Sequence, residues 1–280
     1  MKRIQPIFCI TMLTLFFICP LHAKNTNTDP TIQIHAGSLN TVVTRSQLLQ
    51  RKDMITITLA NPAYKGITIP YNAIKLCDLL NPYKINPTDT IEFKGSDGFA
   101  SLIPAKIVLN CSVNASAAYL AIEPVDHLWP LLHNGSVGTA GPFALVWSAP
   151  EKSHISNEYW PWKLAQIIVH NKLSSNLFIS APNTKDKQVQ AGFNAFRANC
   201  AECHSMNGVG VTEIGPDLNA PYNVVEYYKN DAFIKQFIRN PRSVRLMKND
   251  KMSGFDKHAL SDQELDTIVI YLHYMADHKK

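Results

Sequence analysis

The first 180 residues consist of short apolar runs that are separated by proline, glycine and asparagine. Five of these runs are rich in β-branched residues and partly alternate between apolar and polar positions, which predicts strands. The predicted strands are 54–60, 89–95, 105–113, 117–123 and 143–147. Two further runs, 44–51 and 71–81, predict short helices, and Pro70 and Pro82 bound the second.

The pattern changes from Gln188 onward, where apolar residues recur at helical spacing. The segments 189–200, 224–240 and 261–277 predict helices, with one or two helices in the middle segment. Ser261 and Glu264 form a capping-box pattern at the start of the last helix. A polar segment that contains a proline precedes this helical region and predicts a linker.

These patterns predict two folded units in a chain of 280 residues. The predicted organisation is an N-terminal signal over 1–23, an α+β domain over 24–180, a linker over 181–187 and an all-α domain over 188–280. The aromatic segment 157–162 is expected to pack in a core or an interface, although it could also line a pocket.

The first 23 residues read as a secretory signal peptide. Lys2 and Arg3 form a basic start, 7–19 is an apolar run too short to span a bilayer comfortably, and Ala23 is a small residue suited to cleavage. The segment could instead remain as an anchor, or Cys19 could carry a lipid. No later stretch is long and apolar enough for a span, so the mature chain is expected to be soluble and periplasmic, from a Gram-negative bacterium.

Charge and cysteine content limit the function classes. Removing Lys2 and Arg3 from the 27 basic residues leaves a net charge of +3 against 22 acidic residues, which is too weak to argue for nucleic-acid binding. The mature chain keeps four of the six cysteines: Cys77, Cys111, Cys200 and Cys203. An oxidising compartment would permit disulfides among them.

The sequence Cys200-Ala-Glu-Cys203-His204 is the attachment signal of a c-type haem. Two thiols three positions apart can reach the two vinyl groups of a porphyrin and form thioethers, and the adjacent histidine can then bind the iron. A thioredoxin-like pair would need a βαβ context, and a zinc site would need four ligands. A disulfide between cysteines this close would be strained, so the sequence favours one covalent haem c.

A second iron ligand is expected downstream, because the chain must wrap around the porphyrin. Met206 is too close to His204, and Met275 lies within the last predicted helix. Met252 and Met247 remain, and Met252 is preferred because the loop that holds it contains Ser253 and Gly254. Met/His ligation is typical of electron carriers with a raised potential.

Residues 188–280 resemble class I cytochromes c. Gly192 and Phe196 match the positions at which that family packs its first helix against its last, here against residues such as Tyr271 and Leu272. The resemblance implies that the carbonyl of Pro216, in the sequence GPDL, accepts a hydrogen bond from the ring of His204. The sequence KMSGF over 251–255 matches the methionine loop of the family, with Ser253 where proline is common.

Residues 50–170 resemble the molybdopterin-binding fold of sulfite-oxidase-type enzymes, in the segments ITIPYNAIKLCDLLNPYKI, DTIEFKGSDGFASLIP and GPFALVW. The resemblance implies a mixed sheet. The family's molybdenum-binding cysteine is missing from the corresponding upstream region, so molybdopterin is not expected. Cys77 and Cys111 are expected to be buried structural cysteines or to form a disulfide.

The sequence therefore predicts a periplasmic electron carrier without catalytic residues of its own. Cys200, Cys203 and Pro216 are expected to hold the haem, and His204 and Met252 its iron. Expected partners are a redox donor or acceptor, such as a membrane oxidase or dehydrogenase subunit docked by the N-terminal domain. The alternative is a fused oxidoreductase whose N-terminal domain oxidises a small molecule. A basic stretch over 229–251 is either a solvated helix face or a collar that steers an acidic partner.

Overall fold

The computed structural model describes residues 28–132, 137–171, 179, 182–210, 214–245, 252 and 254–279. The predicted signal peptide lies outside these residues, as do Met247 and Ser253. Within the described ranges, no helix combines the length and apolarity that crossing a bilayer requires.

The N-terminal half contains two sheets built from nine strands in the described residues. The strands are β1 Thr31–Ala36, β2 Leu39–Thr44, β3 Ile55–Ala60, β4 Thr68–Lys75, β5 Thr90–Gly95, β6 Ala100–Pro104, β7 Ala117–Ile122, β8 Phe143–Ser148 and β9 Leu164–His170. One sheet has the order β2-β1-β9-β5-β6 and is mixed, because β1 and β9 run parallel. The other has the order β3-β4-β7-β8 and is antiparallel. The predicted α+β fold with a mixed sheet therefore describes this half.

The described helices are short in the N-terminal half and longer in the C-terminal half. They are α1 Arg45–Leu49, α2 Leu76–Leu80, α3 Ala105–Val108, α4 Lys187–Asn199, α5 Val224–Tyr228, α6 Asp231–Arg239, α7 Pro241–Val244 and α8 Asp262–Asp277. The capping box predicted at α8 is present, since the side chains of Ser261 and Glu264 each accept a hydrogen bond from the other residue's backbone N–H.

Two hydrophobic cores divide the molecule. Buried apolar residues between Ile32 and Ile167 fill the space around the sheets and form the first core. Buried residues between Val189 and Leu272 form the second, which is mainly helical and also includes Ala201, Met206 and Leu260 from turns and loops. The cores match the predicted arrangement of an α+β unit followed by an all-α unit.

Two secondary-structure predictions in the N-terminal half are wrong. The segment 71–81 was expected to be helical, but its first part belongs to β4, which pairs with β3 and β7, and only Leu76–Leu80 is helix. The segment 105–113 was expected to be a strand, but it forms α3 and then a turn in which the Asn110 side chain accepts from the Ser112 N–H at 3.0 Å. Long-range strand pairing in the first case, and asparagine turn chemistry in the second, override the local pattern.

Cys77 and Cys111 form a disulfide, one of the two predicted alternatives. Their Cα atoms lie 6.2 Å apart, which suits a disulfide. The expectation that both are buried is wrong, because Cys77 is only half-buried and Cys111 is exposed. The bond joins α2 to the turn after α3 at the surface of the domain.

Helices α4 and α8 cross closely at Gly192 and hold the C-terminal core together. A Cβ atom at Gly192 would overlap the backbone carbonyl of Thr267 and lie 2.8 Å from Cβ of Tyr271. The buried ring of Tyr271 packs at centroid distances of 5.7 Å from Phe193 and 5.3 Å from Phe196. This is the packing that the resemblance to class I cytochromes c implies.

We predict that Gly192→Ala destabilises the protein by about 1–3 kcal/mol, because the obstructing Thr267 carbonyl is backbone and cannot rotate away. Urea unfolding monitored by circular dichroism would measure the change. Asn194→Ala, at an exposed position of the same helix, is the control and should change stability by less than about 0.5 kcal/mol. Equal stability of the two variants would contradict a tight crossing.

Candidate functional site

Helix α4 delivers the cysteine pair and the histidine to one short turn. Asp186 caps the start of the helix through its side chain, and the helix ends at Asn199. Beyond it, the carbonyl of Cys200 accepts from the N–H groups of Cys203 at 3.1 Å and His204 at 2.9 Å. No disulfide joins Cys200 to Cys203, and burial raises the pKa of the Cys200 thiol.

The His204 ring is fixed by the loop that follows the motif. Its Nδ1 donates to the carbonyl oxygen of Pro216 at 2.8 Å, the contact that the resemblance implies. Gly215 lies against the ring, since a Cβ there would be 2.6 Å from Cε1 of His204. Burial lowers the pKa of His204, which favours the neutral imidazole that metals bind. With Nδ1 used as a donor, Nε2 is the nitrogen that can bind a metal.

Asp217 folds the same loop into place. Its carboxylate accepts from the backbone N–H groups of Gly208 at 2.6 Å, Asn219 at 2.7 Å and Ala220 at 2.7 Å. Although partial burial opposes the charge, these hydrogen bonds hold the pKa of Asp217 below its usual value. Asp217 therefore fixes the position of its neighbour Pro216, a role that its place in GPDL does not reveal.

Met252 is half-buried and packs against the C-terminal core. The chain next to it is held against α6 and α7, because a side chain at Gly254 would meet the Arg239 carbonyl at 2.6 Å. The Phe255 N–H donates to the carbonyl of Ile238 at 3.0 Å. Gly254 also has a φ of +79°, a conformation that favours glycine.

Arg239 clamps the segment that follows Met252. Its guanidinium donates to the carbonyls of Phe255 at 3.1 Å, Asp256 at 3.0 Å and Leu260 at 2.5 Å, and to the carboxylate of Asp262 at 2.8 Å. Arg239 belongs to the basic stretch 229–251, for which the sequence predicts surface charges. The structure gives it a local role, and Lys235 is likewise paired with Asp266 at 2.7 Å.

The donors present suit a haem c. Two thiols stand three positions apart, an oriented imidazole follows them, and a thioether lies in a loop packed on the same helical core. The hydroxyl of Tyr271 is buried without a hydrogen-bond partner in the described structure. A chemically complete set of attachment and ligand groups is therefore available on this domain.

Residues 187–272 match the family model described as cytochrome c oxidase, cbb3-type, subunit III. The C-terminal region is a cytochrome c domain. The match ends at α8 and does not extend to the two sheets of the N-terminal half. Among curated proteins, no sequence matches the chain.

The cytochrome c domain contacts the sheets through the segment that carries its cysteines. The N–H of Leu102 in β6 donates to both carboxylate oxygens of Glu202, at 3.0 and 3.2 Å. The Ser156 hydroxyl donates to Oδ1 of Asn199 at 2.8 Å. Ala198, next to Asn199, packs against the N-terminal core. The sequence gives no signal for these contacts, because their partners are 43 to 100 positions apart.

Acidic groups concentrate where the two domains meet. Glu202 is 1% exposed, and burial raises its pKa well above the usual value. Glu158, in the 3₁₀ helix Asn157–Tyr159, keeps part of its surface exposed, yet burial of its carboxyl raises its pKa to about 7. Glu92 lies nearby and pairs with His170 at 2.7 Å. Arg197 acts on Glu202 as the compensating cation.

We predict that Arg239→Lys destabilises the cytochrome c domain by about 1–3 kcal/mol, because an ammonium group cannot reach the four acceptors that the guanidinium spans. Chemical unfolding would measure the loss. Arg242→Lys, at an exposed position in α7, is the matched control and should change stability by less than about 0.5 kcal/mol, because interactions of exposed charges contribute little. Two equally stable variants would show that Arg239 does not hold the methionine segment.

We predict that Glu158→Gln stabilises the protein at pH 8 by about 1–3 kcal/mol but has little effect near pH 4.5. The folded pKa of about 7 lies above the ordinary value of 4.5, so the folded state binds more protons between these values. Ionisation of Glu158 therefore lowers the free energy of unfolding as pH rises from 4.5 to 7. The neutral amide of Glu158→Gln avoids this loss.

Unfolding by urea at pH 4.5, 6 and 8 would measure this effect, with the exposed Glu151→Gln as control. The wild type and the control should lose stability relative to Glu158→Gln as pH rises. Parallel curves for all three proteins would contradict the assignment of this pH dependence to Glu158.

Proposed function

We propose that this protein carries single electrons in the periplasm through one haem c. Cys200 and Cys203 would attach the haem, and His204 and Met252 would be its iron ligands. The observation that carries the proposal is the hydrogen bond from Nδ1 of His204 to Pro216, which presents the opposite nitrogen of the ring within a Cys-x-x-Cys-His turn. The match to a cytochrome c family over the same residues supports it.

A haem bound here would supply an iron that alternates between Fe(II) and Fe(III). The protein's own residues would set how readily it does so. The hydrogen bond to Pro216 orients His204 and increases the basicity of its ligand nitrogen. A methionine ligand raises the potential, and Arg239 and Gly254 fix the segment that follows Met252.

We propose no catalytic residue in the chain. The disulfide occupies both cysteines in the described part of the N-terminal domain, so neither offers a thiolate to molybdenum. This supports a carrier over a fused molybdopterin enzyme. A metal inventory of the mature protein would separate them, with about one iron and no molybdenum per chain expected for the carrier.

The proposed partners are redox proteins that give electrons to the haem or take them from it. The matched family is described as a subunit of a cbb3-type cytochrome c oxidase. A membrane oxidase is therefore the first acceptor to test. The N-terminal domain would dock a partner or a neighbouring subunit through surfaces other than the one that meets Glu202.

Expression in a periplasm that contains haem-ligation machinery tests the proposed function directly. The protein should keep its haem after denaturation in detergent and show the visible bands of a reduced c-type cytochrome. A colourless mature protein from cells that mature other c-type cytochromes would overturn the proposal.

We predict that Met252→Ala abolishes the weak long-wavelength band of the oxidised, methionine-ligated haem and lowers its midpoint potential by on the order of 0.1 V. Absorption spectra and a redox titration would measure both changes. Met247→Ala is the comparison variant, and it should keep the band. Loss of the band in Met247→Ala alone would move the ligand assignment to Met247.

A further inference from the structure

The chain between Arg197 and Glu202 is tied to the N-terminal domain by three side chains. The Arg197 guanidinium donates to the hydroxyl of Thr90 at 3.1 Å. Asn199 accepts from Ser156, and Glu202 accepts from Leu102. These residues surround Cys200, so the interdomain contact and the proposed haem attachment share one stretch of chain.

Glu202 contacts an edge strand of the N-terminal sheet. Strand β6 is the last strand in its sheet and pairs only with β5 among the described strands. Its outer side therefore carries backbone groups that pair with no other strand in the described part of the chain. The Glu202 carboxyl supplies an acceptor to the Leu102 N–H on that side, in the place that a neighbouring strand would otherwise take.

Glu202 is buried although it lies within the haem-attachment motif. The residue lies between Cys200 and Cys203, and it is 1% exposed. A polar group this deeply buried destabilises a protein unless it is hydrogen-bonded. A small or apolar residue would satisfy the spacing of the two cysteines equally well, so the spacing alone does not explain a buried glutamate.

We propose that Glu202 is a positioning residue that fastens the N-terminal domain to the haem-binding turn and makes this domain a permanent wall of the haem site. This inference rests on the proposed function for the haem itself. The wall consists of β6 and the segment Ser156–Trp160, where Tyr159 and Trp160 are each 5% exposed. It would exclude water from the cysteine side of a haem attached at Cys200 and Cys203.

The wall has a consequence for the potential of the haem. The oxidised haem carries one more positive charge than the reduced haem, and water stabilises that charge. A wall that keeps water away therefore raises the midpoint potential, and a loosened wall lowers it. The N-terminal domain would thus act on electron transfer without binding a substrate.

Comparison of Glu202→Ala with Glu202→Gln tests the inference. Both variants remove any negative charge, but glutamine keeps an oxygen that can accept from the Leu102 N–H, whereas alanine does not. In Glu202→Ala we expect the amides of β6 to exchange with solvent at least about tenfold faster than in Glu202→Gln. The haem of Glu202→Ala should also have the lower midpoint potential.

A second pair of variants leaves the haem motif intact. Asn199→Ala removes the partner of Ser156, and Asn194→Ala makes the same change at an exposed position of α4. Faster exchange in β6 and a lower potential are expected in Asn199→Ala but not in Asn194→Ala. This pair keeps the inference testable if Glu202→Ala fails to fold.

Equal exchange rates and equal potentials within both pairs would overturn the inference. Faster exchange without any change in potential would also overturn it, because Glu202 would then have only a structural role. Failure of the proposed function gives a different result: the wild type would lack covalent haem, while exchange in β6 would still report on the interdomain contact.

Discussion

The segment from Arg197 to His204 has to satisfy two surfaces at once, and the rest of the structure depends on this constraint. Cys200, Cys203 and His204 form the turn that would attach the proposed haem and bind its iron, whereas Asn199 and Glu202 meet the N-terminal domain. Such a turn has little freedom to adjust, because a shift toward one surface breaks contacts with the other. The close crossing of α4 and α8 at Gly192 gives the turn a rigid base.

The burial of acidic groups at the domain boundary indicates that the contact between the two domains is specific. Glu202 loses its hydration, and Glu92 and Glu158 act on it as like charges that favour its neutral form. Arg197 and the Leu102 N–H offset this cost. A boundary that only linked two independent domains would be stable without a buried carboxyl.

Local sequence signals predicted the cytochrome c domain well. Helical spacing located α4 and α8, Ser261 and Glu264 marked the start of α8, and Cys-x-x-Cys-His identified the turn between helices. The N-terminal domain was harder, because its strands depend on long-range pairing. β1 and β9 pair although more than 120 residues separate them, and the local pattern of residues predicts neither strand.

The roles of Arg239, Asp217 and Glu202 were missed for a related reason. Each side chain hydrogen-bonds to backbone groups. Since nearly all residues carry the same backbone groups, the sequence does not show which ones a side chain will meet. Arg239 binds three carbonyls, Asp217 binds N–H groups of its own loop, and Glu202 binds one N–H in a strand 100 positions away. The sequence shows that these side chains are polar. Only the fold determines whether they are exposed to solvent or bind backbone groups within the protein.

The contact also bears on why these two domains share one chain. A flexible tether would raise the effective concentration of a carrier near a catalytic domain, and the two would then need freedom to approach and separate. The buried hydrogen bonds that Glu202 and Asn199 accept from the N-terminal domain favour the opposite arrangement, in which the domains stay together. With a haem attached as proposed, the N-terminal domain would cover its cysteine side, and a redox partner would have to approach from another side. The N-terminal domain is then better understood as part of the environment of the proposed haem than as a separate enzyme that feeds it.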